Sequence, residues 1–178
     1  MKIESTFINT EYGSIYLKQW QPLMPESDIA IVLLHDSLGC SELWRDFPQH
    51  IAQLTNWRVI SYDRLGFGQS TMRVERPSIN FIEEEAARYF PAIKKALLLD
   101  SYLLFGYSVG GAMALNIAAT DKNCVGVVSM SAQAFVEQRT IEGILDAKAV
   151  FQSKKQMEKL EKWHGNRATW ILSAWIDV

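Results

Sequence analysis

Ser101-Tyr102-Leu103-Leu104-Phe105-Gly106-Tyr107-Ser108-Val109-Gly110-Gly111 holds the key to this chain. The apolar residues up to Phe105 suit a short buried strand, and residues 111–119 (GAMALNIAA) suit a helix. Between them Gly106 to Gly110 spell G-x-S-x-G, in the strand–turn–helix setting that gives this pattern its meaning. The turn is sharp, so a Cβ at position 106 or 110 would press on neighbouring backbone. It lifts Ser108 off the sheet end and sets its hydroxyl above a helix N-terminus, where free N–H groups can stabilise a developing oxyanion. The plainer reading is a glycine-rich β–α turn whose serine only caps the helix. The strand before and the helix after favour a nucleophile.

Outward from this turn, strands and helices alternate. Residues 2–9 and 14–20 flank the turn Glu11-Tyr12-Gly13 and read as a hairpin. Residues 29–34 (IAIVLL) form a continuous apolar run, as in a strand buried on both faces. Residues 43–54 have helical spacing, with Leu43, Phe47, Ile51 and Leu54 on one side. Residues 58–62 are another strand. Residues 81–98 are a helix with Glu83, Glu84 and Glu85 early and Lys94 and Lys95 late, matching the helix dipole, and Pro91 should kink it. Residues 125–130 form a further strand. The fold class is therefore α/β, a mostly parallel sheet with helices on both faces.

Past Met130 no strand pattern returns. Ile141, Ile144, Leu145 and Phe151 form one helical stripe, interrupted by Lys148. Met157, Leu160 and Trp163 form a second, and Trp170, Ile171, Ala174, Trp175 and Val178 a third. Residues 1–131 thus read as the core and residues 132–178 as a helical lid. Ordinary core helices are the other reading, but paired tryptophans suit the wall of an apolar pocket.

Composition sets bounds. The 178 residues suffice for one domain, and 48% apolar with 21% charged residues is ordinary for a globular chain. A net charge of −2 gives no reason to expect nucleic acid or an anionic membrane. Glu4 interrupts any signal-peptide core, and no run is long enough to span a bilayer. Cys40 and Cys124 have neither metal-like nor disulfide-like spacing, which fits reduced thiols and a cytoplasmic location.

Other loops complete a site. His35-Asp36-Ser37-Leu38-Gly39-Cys40-Ser41 follows the 29–34 strand. With a G-x-S-x-G serine, one oxyanion donor is the N–H after the nucleophile and the other comes from this loop. That assigns Val109 and, by position, Ser37, with Leu38 as the neighbouring candidate. The alternative is a polar loop capping the next helix through Ser41. His35 suits a structural role, pinning the loop at a strand end. Asp63-Arg64-Leu65-Gly66-Phe67-Gly68-Gln69-Ser70 follows residues 58–62; Gly66 and Gly68 lack the third glycine of a dinucleotide site, and no phosphate-loop lysine stands nearby. Asp63 and Arg64 are expected to hydrogen-bond that loop. No cofactor and no metal are expected.

A serine nucleophile needs a base and an orienting acid, which in this motif class follow it as acid, then histidine. Of the three histidines, His35 and His50 precede Ser108 and only His164 follows it. The chain therefore supplies half of a catalytic apparatus. It reads as a fragment of a longer enzyme or as a shortened, inactive relative.

Taken together, these motifs resemble the α/β-hydrolase superfamily over residues 2–178. The 35–39 stretch is similar to the oxyanion loop, 63–70 to the family's D-x-x-G-x-G-x-S loop, and 106–111 to the nucleophile elbow. Asp36 departs from the glycine that many relatives carry there; it either repels an anionic intermediate or points away and holds the loop. The resemblance implies two later strands bearing the acid and the histidine. Glu137 lies where a minority of relatives place the acid, although a glutamate at a helix start has an ordinary explanation. A serine in the elbow implies acyl transfer to water on a small, mostly apolar ester, thioester, lactone, amide or activated carbon–carbon bond. A degenerate, non-catalytic protein that binds a ligand or partner is the competing class. If nothing follows Val178, the 125–130 strand is an unprotected edge, to be covered by a second copy, an exchanged segment or a C-terminal fragment.

Overall fold

The computed structural model describes residues 1–132 and 135–177. β1 (Lys2–Thr10) and β2 (Gly13–Gln21) form an antiparallel hairpin, and β2 pairs antiparallel with β4 (Arg58–Tyr62). β3 (Ala30–Leu34) runs parallel to β4 and to β5 (Tyr102–Tyr107), and β6 (Cys124–Met130) runs parallel to β5. The sheet has six strands in the order β1-β2-β4-β3-β5-β6. This is the mostly parallel α/β sheet read from the sequence, with an antiparallel hairpin at one edge.

All of β3 is buried. Ala30, Val32 and Leu34 join Leu17, Ile60 and Leu104 on one face, while Ile31 and Leu33 join Trp20, Ala52 and Val59 on the other. A period of two, apolar on both sides, is what a strand covered on both faces requires.

The helices differ from expectation in detail. α1 spans Phe47–Thr55, and Ser41–Trp44 is a separate 3-10 turn. Arg45 between them has φ of 51°, which breaks the expected 43–54 helix. Pro48 then sits in the first turn of α1, where its missing N–H costs nothing. Pro48 and Ala52 face the core, and Leu54 is exposed. The 81–98 helix divides into α2 (Phe81–Glu84), a π-helical turn (Glu85–Tyr89) and α3 (Phe90–Leu97). Pro91 has no N–H for the carbonyl of Ala87, and the ladder adjusts just ahead of it, with Phe90 N–H reaching the Glu85 carbonyl.

α4 (Val109–Thr120) leaves β5 directly. α5 (Gln138–Val150), α6 (Lys154–His164) and α7 (Ala168–Ile176) follow β6, and among the described residues no strand follows Met130. α5 leaves Ile141 and Leu145 exposed, whereas α6 buries Leu160 and His164 and α7 buries Ala168 and Ile171. Val178, expected at the end of the third stripe, lies outside the described residues.

β3 stands between β4 and β5, so strand order reverses between β3 and β5. The loops leaving these two strands meet at their carboxyl ends, the place where open α/β sheets hold ligands.

Candidate active site

Ser108 has φ 54° and ψ −124°, a conformation an L-residue adopts at a cost of about 1–3 kcal/mol. The surrounding backbone enforces it. Ser108 N–H donates to the Met130 carbonyl at 2.8 Å, and the Ser108 carbonyl accepts Gly111 N–H at 2.8 Å. A Cβ on Gly106 would strike the Gly110 carbonyl, and one on Gly110 the Leu34 carbonyl. The Ser108 side chain makes no capping bond to α4, so its hydroxyl is not spent on the helix. The plainer reading of Ser108 as a helix cap is thereby corrected.

The loop after β3 is held through Asp36. Its carboxylate Oδ1 accepts Leu38 N–H at 3.0 Å, so the side chain holds the loop. Burial pushes this carboxyl above the usual range. The Asp36 carbonyl accepts three donors: His35 Nδ1–H at 2.8 Å, Arg64 Nη2 at 2.8 Å and Gly39 N–H at 3.3 Å. His35 Nε2 in turn accepts Arg64 N–H at 3.1 Å, which fixes the Nδ1–H tautomer. Leu38 N–H is thus taken. Ser37 N–H has no acceptor among the described residues, and neither has Val109 N–H. The peptide is planar and trans, so anchoring the Asp36 carbonyl points the Ser37 N–H the opposite way. Ser37 and Val109 line one cavity of about 60 Å³, together with Arg64, Phe67, Met113 and Trp175.

The loop after β4 is equally tied. Asp63 accepts Ser41 N–H at 2.6 Å and Gln69 N–H at 2.8 Å, and its carbonyl accepts the Ser70 hydroxyl at 2.6 Å. Ser41 is anchored by its backbone and makes no cap, which removes the capping alternative. Arg64 lies over the Phe67 ring at 4.3 Å. The C-terminal helices grip the same loop. His164 Nδ1 accepts Gly68 N–H at 3.0 Å, and His164 Nε2–H donates to the Leu38 carbonyl at 2.9 Å. Arg167 Nη1 donates to the carbonyls of Gly68 at 2.6 Å and Ser70 at 2.5 Å. Trp170 meets Phe67 edge-on, centroids 6.1 Å apart, and Ala174 and Trp175 line the cavity.

One cavity residue has no place in the sequence reading. Glu85 is 4% exposed, accepts the Tyr62 hydroxyl at 2.7 Å and lines the cavity beside Arg64. Burial pushes its carboxyl upward, opposed by the Arg64 charge. The helix dipole accounted for Glu85 in sequence, yet its position four after Phe81 and four before Tyr89 puts it on the apolar stripe. Glu137 is exposed just before α5, and His50 is exposed on α1; neither lines the cavity. Cys40 is buried and its thiol is pushed up to about 12. Among the described residues no cluster of three potential ligands could hold a metal, and no helix is long and apolar enough to cross a membrane.

A family model described as alpha/beta hydrolase fold matches residues 29–175. A proline iminopeptidase of Lactobacillus crispatus is 33% identical over 100 residues, 56% of this chain and 33% of that protein. The matched stretch therefore spans only a third of that relative's length. Naproxen esterase of Bacillus subtilis superposes with a TM-score of 0.68 at 17% identity, over 97% of this chain and 61% of its own. A proline iminopeptidase of Mycobacterium smegmatis gives 0.63 at 20% identity, over 98% of this chain and 58% of its own. At such identities these superpositions speak for the fold. The family match spans both switch-point loops, the turn at Ser108 and the helices that close over them, and by it the chain belongs to the α/β-hydrolase fold family.

Proposed function

We propose that this chain carries the nucleophile and oxyanion half of a serine hydrolase that transfers an acyl group to water. The observation that carries the reading is Ser108, held in a strained turn with its hydroxyl uncommitted, directly before Val109 of the cavity wall. Ser108 Oγ attacks the acyl carbonyl, its proton leaves to a base, and the carbonyl π pair moves onto oxygen. The N–H groups of Ser37 and Val109 receive that oxyanion; losing one such donor costs about 3–4 kcal/mol. Collapse expels the protonated leaving group, and water cleaves the acyl-serine.

The described histidines offer no base in this arrangement. His35 and His164 have both ring nitrogens bonded, and His50 is exposed on α1. The 178 residues alone are therefore expected to turn over activated esters slowly or not at all. The relatives matched are longer, so the base and acid are assigned to the whole protein. Leu65, Phe67, Phe81, Met113 and Trp175 support a small, mostly apolar ester, thioester, lactone or amide. Residues 132–178 act as its lid, residues 1–131 as its core, and the reaction needs no cofactor. A cytoplasmic location and a small-molecule partner fit this chemistry, and β6 offers an edge for a second copy or a C-terminal fragment.

The committed histidines favour one second reading, a non-catalytic relative that binds a ligand. A fluorophosphonate probe separates the two. In the whole protein it should add one probe mass at Ser108, and Ser108→Ala should abolish both labelling and ester hydrolysis. Hydrolysis that survives in the variant removes Ser108 from the chemistry. A protein that never labels yet binds esters is the non-catalytic form.

A further inference from the structure

We propose that His164 is a positioning residue: a clasp that seats the lid and fixes the loop carrying the Ser37 N–H in a single movement. Its consequence for catalysis rests on the hydrolase reading above; its geometry does not.

His164 closes α6 and is 3% exposed. Its ring bridges two loops far apart in sequence, taking Gly68 N–H on Nδ1 and giving Nε2–H to the Leu38 carbonyl. The partners fix the chemistry, because a backbone N–H only donates and a carbonyl only accepts. A neutral imidazole in the Nε2–H tautomer satisfies both, with donor and acceptor on one rigid ring. Gly68 is gripped twice, its N–H by His164 and its carbonyl by Arg167.

The oxyanion loop shows why the clasp matters. Asp36 to Leu38 is held at the Asp36 carbonyl by His35 and Arg64, at Leu38 N–H by the Asp36 carboxylate, and at the Leu38 carbonyl by His164. Only the last of these comes from the C-terminal helices. Withdrawing it frees the Leu38 end of the loop, next to the Asp36–Ser37 peptide, whose carbonyl stays held by His35 and Arg64. The cavity supplies the motive for movement. About 60 Å³ is well below the roughly 300–1,000 Å³ of ligand pockets, and Ala174 and Trp175 of α7 form part of the wall, so displacing the C-terminal helices would enlarge it towards substrate size. Lifting removes His164 from Leu38, and reseating restores it. Closure and the anchoring of the Leu38 end of the oxyanion loop then become one event.

Acid should open the same clasp, since a proton on Nδ1 would face Gly68 N–H donor to donor. Asp63 and Asp36 favour the charged ring, while Arg167 and His35 oppose it. Burial is the largest influence and outweighs the bond to the Leu38 carbonyl and the nearby carboxylates, which holds His164 below the usual 6.5; the clasp is closed at neutral pH and opens only in acid below the ordinary histidine range.

The 178-residue chain itself serves for the test, by side-chain ¹⁵N spectra of histidine and amide hydrogen exchange. His164 should read as neutral Nε2–H and His35 as Nδ1–H. His164→Ala should raise exchange at Gly68, Leu38 and Gly39 together, by about tenfold or more. His164→Gln keeps a side-chain donor for the Leu38 carbonyl and should restore protection at Leu38 and Gly39. Arg167 bonds the carbonyls of Gly68 and Ser70 and not Leu38 or Gly39, yet Arg167→Ala should also expose Leu38 and Gly39. Unchanged Leu38 and Gly39 exchange in the Arg167 variant while Gly68 opens overturns the proposal, as does an Nδ1–H tautomer at His164. If His164→Ala fails to fold, the spectrum of the parent and the Arg167 variant decide. No turnover is read, so a failure to label Ser108 would leave the clasp standing, and an uncoupled loop would leave the Ser108 reading standing.

Discussion

At Glu85 a carboxylate is buried with one hydroxyl for a partner, and the sign of its effect on stability can be worked out. Its folded-state pKa is raised above the ordinary 4.5, burial being the largest cause and Arg64 opposing. As pH rises from 4.5 through the folded-state value, the unfolded chain has released a proton that the native state still holds, so stability falls. Glu85→Gln keeps an acceptor for the Tyr62 hydroxyl and removes the titration. The variant should gain on the parent in urea unfolding as pH rises above 4.5. A parent that instead gains on the variant would mean that attraction to Arg64 outweighs burial. Single residues were unequally legible. Ser108, Val109 and Ser37 stand in local patterns, and a local pattern places them at the cavity or beside it in sequence. Glu85 and His164 take their partners from 23, 96 and 126 residues away, and nothing in their own neighbourhood names those partners.

Among the elements, the β5–α4 turn leaves no room between backbone segments for a Cβ at Gly106 or Gly110. The Cβ of Gly110→Ala would meet the Leu34 carbonyl, and neither backbone segment can yield without moving α4 off β3. This variant should lose about 3 kcal/mol or more, or fail to fold. Gly143 in α5 has nothing within 4 Å of its added Cβ, so Gly143→Ala should stabilise by up to about 1 kcal/mol through helix propensity alone. Denaturant midpoints of the two variants test both statements, and equal effects would mean that the elbow is not tight. Element order was readable because β3 is apolar throughout and the glycines mark the elbow. Element ends were less so. The 43–54 periodicity ran through Arg45, where the backbone turns left-handed, and Pro91 acts through a π turn ahead of it. The stripe on α5 names an apolar side, but periodicity cannot tell whether anything lies against it.

The whole molecule presents one unbalanced side. β6 pairs with β5 alone among the described residues, and Val125, Val127, Val128 and Met130 are 56%, 37%, 44% and 45% exposed. Beyond it, α5 leaves Ile141 and Leu145 in the open. An edge strand with unpaired N–H and C=O groups, flanked by aliphatic surface, is a template for another strand, and nothing charged on β6 discourages it. The purified 178-residue chain should therefore self-associate at micromolar concentration, a second copy lying along β6. Val125→Lys places a charge on that edge and should shift sedimentation towards monomer while leaving the unfolding midpoint within about 0.5 kcal/mol, because the site is exposed. A polypeptide supplying further strands of the sheet should compete for the same edge and dissolve the association. Should the parent sediment as a cooperatively folding monomer, the edge is covered by its own chain. A parent and a lysine variant that associate equally would move the contact away from β6, to the aliphatic face of α5.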